Sequence, residues 1–121
     1  MTAIRCVEAS FVAAAAAVLV LAACGASRPE TGSPQALYVD LGCAKCHGPD
    51  REGQRSGPPL TGLEERWDEV DLMSYLKDPR SFVESNPRLS YLDEQYPIAM
   101  PAYADTAEQD LQRLVEFMLS S

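Results

Sequence analysis

The chain has 121 residues, with 18 acidic against 10 basic side chains and a formal charge of −8. That length holds no more than one ordinary domain, and that charge makes nucleic acid and anionic surfaces poor partners. No internal repeat is visible and no oligomer is indicated.

Residues 1–23 read as a targeting segment that is removed, not as part of the fold. The positive end is weak, with Arg5 set against Glu8, and an uncharged run of mostly Ala, Val and Leu follows over 11–23. The run is shorter than the ~20 apolar residues of a spanning helix and suits a signal-peptide core. It ends in Leu21-Ala22-Ala23-Cys24, which resembles a bacterial lipobox. The resemblance implies cleavage before Cys24 and lipid on its thiol and its new amino group. Several acyl chains together make a stable anchor where one would be marginal. The competing reading is an ordinary signal peptide that happens to contain Cys24. On the lipobox reading the protein is anchored at the cell membrane and faces the periplasm or an equivalent extracytoplasmic space. Residues 24–33 then form the lipidated cysteine and a small, polar tether, roughly 30 Å long when extended.

Ser33-Pro34 is a helix-start signal, with Ser as N-cap and Pro in the first turn. It predicts a short helix over 34–41 that delivers the chain to Cys43-Ala44-Lys45-Cys46-His47. This C-x-x-C-H pattern suits covalent haem attachment. Each thiol bonds one vinyl group, and the imidazole that follows becomes an axial ligand of the iron. Two other readings compete. A structural zinc site needs four ligands, but His47 is the only histidine, and Cys6 and Cys24 lie in or at the end of the leader. A thioredoxin-like motif needs a βαβ context, and no strand-rich pattern surrounds this one. The haem reading also accounts for every cysteine: Cys6 leaves with the leader, Cys24 takes lipid, and Cys43 and Cys46 take haem. One covalent haem gives a small domain a large apolar core object at no cost in chain length.

Residues 48–57 are a polar loop by composition. Gly57-Pro58-Pro59-Leu60-Thr61-Gly62-Leu63 follows, and Met100-Pro101 lies near the C-terminus. Together with C-x-x-C-H, these segments resemble the class I monohaem cytochromes c over residues 34–121. The resemblance implies an all-α domain of three to five short helices around one covalent haem. It implies that the Pro58 carbonyl accepts a hydrogen bond from the far nitrogen of His47, which orients the imidazole and strengthens it as a ligand. It implies Met100 as the second axial ligand, a soft neutral thioether that raises the potential. It also implies a propionate-binding role for Arg66, against which stands a solvated surface Arg.

Residues 68–77 predict a second helix, with Leu72, Tyr75 and Leu76 on one face and Asp78-Pro79 ending it. Trp67 and Tyr75 read as core aromatics or as haem contacts. Residues 81–84 add a helical turn with Phe82 inward. Residues 86–103 carry three prolines and no helical period, and read as an ordered loop that holds Met100. Met73 and Met118 read as core packing. A last helix is predicted from Asp105 or Thr106 to about 119. Its capping box is Thr106-x-x-Gln109 or Asp105-x-x-Glu108. Its stripe of Leu111, Leu114, Val115 and Met118 is expected to pack on the first helix and the haem.

The function expected is one-electron transfer by a membrane-anchored carrier that needs no catalytic residue. Its redox partner docks near Cys43 and Cys46 and carries a basic patch, so that association slows with salt. One alternative is a haem relay fixed in a larger respiratory reductase or oxidase. Another is a haem enzyme or gas binder in which Met100 does not ligate; the chain has no second histidine for acid–base work there.

Overall fold

A computed structural model describes residues 32–120. The predicted leader, Cys24 and all but the end of the tether lie outside the described residues. Among the described residues six α-helices follow one another: α1 Pro34–Asp40, α2 Cys43–His47, α3 Glu69–Lys77, α4 Pro79–Ser85, α5 Pro87–Gln95 and α6 Glu108–Leu119. A 3-10 turn, Leu63–Glu65, precedes α3. The described residues contain no strand, only an isolated bridge between Gln54 and Gly57. No helix among them is long and apolar enough to cross a membrane. The architecture is all-α. It has one helix more than the upper expectation.

The helix starts are local chemistry. The Ser33 side chain accepts from the Ala36 N–H at 3.1 Å, and Pro34 lies in the first turn of α1. Asp68 caps α3 through the Asp71 N–H at 2.8 Å. Asp78 ends α3 and caps α4 ahead of Pro79, and Asn86 ends α4 and caps α5 ahead of Pro87. Each Asx-Pro pair breaks one helix and begins the next, because proline lacks the N–H that a first turn leaves unpaired anyway.

Two expectations are corrected. Residues 86–103 are not all loop, since α5 occupies the first half. Pro87 is a helix start there, with the Asn86 side chain accepting from the Arg88 and Leu89 N–H groups at 3.0 and 3.4 Å. Neither predicted capping box forms at α6. Its N-cap is Ala107, with no side-chain hydrogen bond. The Thr106 N–H instead bonds the Tyr103 carbonyl at 3.1 Å, so Asp105 and Thr106 sit in a turn ahead of the helix.

The core forms around α6, which packs against both α1 and α3. Its stripe of Leu111, Leu114, Val115 and Met118 is buried with Tyr38 of α1, Leu63, and Leu72 and Leu76 of α3. The α4–α5 hairpin sits outside this core. Among the helices, α5 packs against α4 alone. Leu114 has no solvent exposure. Leu114→Ala should therefore lower unfolding stability by about 2–5 kcal/mol, read from denaturant melts of the haem-bearing protein.

Candidate cofactor site

Gly42 sets the site's first geometry. It takes φ 83°, a left-handed turn that separates α1 from α2. Helix α2 is little more than one turn, and it places Cys43 and His47, four residues apart, on its buried side. Cys46 is partly buried, and neither cysteine is in a disulfide. Burial pushes the Cys43 thiol above its ordinary range.

His47 is 8% exposed, and its Nδ1 lies 2.7 Å from the Pro58 carbonyl oxygen. A carbonyl can only accept, so Nδ1 carries the proton and Nε2 keeps the lone pair. Burial pulls the His47 pKa down, and the bond to Pro58 opposes that pull in part. The result is a neutral imidazole of defined tautomer, the form that can bind a metal.

The loop after α2 is built to bring Pro58 back. The Gly53 N–H donates to the His47 carbonyl at 2.7 Å, and the Leu60 N–H donates to the Arg51 carbonyl at 2.9 Å. The Tyr38 hydroxyl donates to the Gly48 carbonyl at 2.8 Å from within the core. Arg51 ties the loop to α6, donating to the Phe117 carbonyl at 3.1 Å with its guanidinium 4.6 Å from the Phe117 ring centroid. Gly57 is small of necessity: a Cβ there would lie 2.8 Å from the Cys46 carbonyl oxygen and 3.1 Å from His47 Nδ1.

These groups open onto a cavity of about 470 Å³, within the range of small-molecule and cofactor sites. Cys43, Cys46, His47, Pro58 and Met100 all line it. Its far side is α5, through Leu89 and Leu92, with Tyr96 just beyond. The apolar face of α5 that α4 leaves over is therefore turned to the cavity. Two thiols, a neutral imidazole, a thioether and an apolar wall fit a covalently attached haem.

Not every predicted residue comes to the cavity. Arg66 is exposed, donates to the Thr61 carbonyl at 3.1 Å, and is not part of the lining. The short 3-10 turn leaves its side chain folded back on the preceding loop. Trp67 does not line the cavity either; its ring packs 5.0 Å from Tyr75 and 6.1 Å from Phe82. Tyr75 does line it, and its hydroxyl pKa is raised by burial first and by Asp93 second. The sequence reading missed Leu89, Leu92, Tyr96 and Tyr103. The first three recur at helical spacing, a signal obscured by the prolines on either side.

The cytochrome c family model matches residues 34–121. The chain belongs to the cytochrome c family. Members of that family carry covalent c-type haem and transfer electrons through it, and this chain is accordingly a haem-based electron-transfer protein. The chain is also similar to cytochrome c oxidase subunit 2 of Alkalihalophilus pseudofirmus, 25% identical over 92 residues. That match covers 69% of this chain and 23% of the oxidase subunit, so the chain spans less than a quarter of that relative. No solved structure matches.

Gly57→Ala should force the Cys46 carbonyl and the His47 ring apart from the loop. The expected cost is about 1–3 kcal/mol of stability in the haem-bearing protein, read from thermal melts beside the unaltered protein.

Proposed function

We propose that the chain is a class I monohaem cytochrome c that carries single electrons, with His47 and Met100 as axial ligands. The carrying observation is one cavity lined by Cys43, Cys46, His47 and Met100, with His47 Nδ1 held 2.7 Å from the Pro58 carbonyl. The haem would supply the one-electron iron couple. Cys43 and Cys46 would hold it covalently, His47 would offer Nε2 in a fixed orientation, and Met100 would offer a neutral sulfur favouring the reduced state. Of the methionines in the described chain, Met100 lines the cavity, whereas Met73 and Met118 do not. Leu89 and Leu92 of α5 give the cavity an apolar wall, which would keep reorganisation around the haem small.

A lipid on Cys24 would hold the domain near the membrane on its extracytoplasmic side. The leader, the lipobox-like Leu21-Ala22-Ala23-Cys24 and the polar tether support this reading. The formal charge of −8 favours a redox partner with a basic patch. The similarity to an oxidase subunit supports a second reading, a relay that passes electrons within a larger oxidase. A stoichiometric complex surviving purification in mild detergent would select the relay; a monomeric haem protein would select the free carrier.

The axial assignment is checked by visible spectroscopy of the oxidised protein with Met100→Ala beside it. The unaltered protein should be low-spin with a sulfur-to-iron charge-transfer band, and the variant should lose both and titrate at a lower potential. Retained low-spin ligation in the variant refutes the assignment. Cys24→Ser should move the protein from the detergent phase to the aqueous phase on partition, and an unchanged distribution refutes the anchor.

A further inference from the structure

We propose that Tyr103 is the positioning residue for Met100: its hydroxyl ties the Met100 segment to the cysteine-bearing wall of the cavity and so holds the thioether in place for the iron. The inference rests on the reading of Met100 as a ligand.

Met100 packs against the core, but its segment has few hydrogen bonds to hold it. Residues 97–102 contain Pro97 and Pro101, which cannot donate, and no hydrogen bond ties any of the six to the rest of the described chain. On one side the segment is attached at Tyr96, whose N–H donates to the Leu92 carbonyl at 3.1 Å. On the other side it is attached at Tyr103, three residues after Met100. The Tyr103 N–H donates to the Leu76 carbonyl at 2.8 Å, which fixes the backbone to the end of α3. The Tyr103 hydroxyl donates to the Leu41 carbonyl at 3.3 Å. Leu41 closes α1, two residues before Cys43.

Tyr103 therefore joins three pieces of the cavity wall. Its backbone holds α3, its hydroxyl holds the turn into α2, and its chain leads back to Met100. Tyr103 and Met100 both line the cavity. The hydroxyl also interacts with the Cys43 sulfur, and burial with that neighbour pushes its pKa up to about 12. The wall that carries the attachment cysteines and the segment that carries the thioether are thus joined through the Tyr103 hydroxyl.

A hydrogen bond of this kind shifts a local equilibrium by about twofold to tenfold. The equilibrium at stake lies between Met100 held in place and Met100 swung away. A small external ligand that competes for the same position reads it directly. Oxidised haem-bearing protein is titrated with imidazole, followed by the visible spectrum, for the unaltered chain, Tyr103→Phe and Met100→Ala. Phenylalanine keeps the ring and the backbone N–H and removes only the hydroxyl. The expected result is imidazole binding about twofold to tenfold tighter in Tyr103→Phe, and tighter again in Met100→Ala. A Tyr103→Phe variant that melts earlier but binds imidazole as the unaltered protein does would show a structural role only and overturn the proposal. In that outcome Met100→Ala still binds tightly, and the ligand reading stands. Should Met100→Ala bind no tighter than the unaltered protein, Met100 is not displaced by imidazole, and both readings fall.

Discussion

The structure turns on the hydrogen bond from His47 to the Pro58 carbonyl. A helix of five residues cannot orient an imidazole by itself, because its own backbone bonds barely close one turn. The orientation comes from the loop that follows. Bonds from Gly53 and Leu60 fold the loop, and Tyr38 and Arg51 pin it to α1 and α6. Gly57 allows the approach, since any side chain there would press on the Cys46 carbonyl. The packed core of α1, α3 and α6 thus acts on the site at a distance, by fixing the loop whose carbonyl fixes the ring.

The other half of the cavity is organised differently. The α4–α5 hairpin is generated by two Asx-Pro joints and stays outside the α6 core, meeting it through α3 and the Trp67 ring. Leu89 is nearly fully buried, yet α5 has no helix partner but α4. A buried apolar helix face needs a surface to cover it. Leu89 and Leu92 line the cavity, so a haem held there would pack on the hairpin. The segment beyond α5 then hangs between Tyr96 and Tyr103, and brings Met100 to the cavity without regular structure of its own.

The reading of the sequence went furthest where short-range chemistry sufficed. The ends of α1 and α3 were legible from Ser33-Pro34 and Asp78-Pro79, and the α6 stripe from its spacing. Helix α5 was not legible, because Pro87 at a helix start and Pro97 and Pro101 after the helix look alike to composition. The capping boxes at α6 failed for a related reason. Asp105 and Thr106 are good caps in isolation, but the turn closing onto the Tyr103 carbonyl takes them out of register with the helix. Arg66 shows the same limit: its distance along the chain from the attachment motif is suggestive, but its side chain folds back on Thr61.

By itself, the sequence determined the C-x-x-C-H pattern, the helical character and the composition of residues 1–23. Cys43, Cys46 and His47 are contiguous, so their relative placement needs only one turn of helix. The tertiary structure brought to the cavity the Pro58 carbonyl and the Met100 thioether, which the family resemblance implies, and it alone decided that Arg66 and Trp67 stay out of it. Contacts between residues as far apart as His47 and Pro58, or Tyr103 and Leu41, depend on the folded loop and on the packing of α6 against α1 and α3.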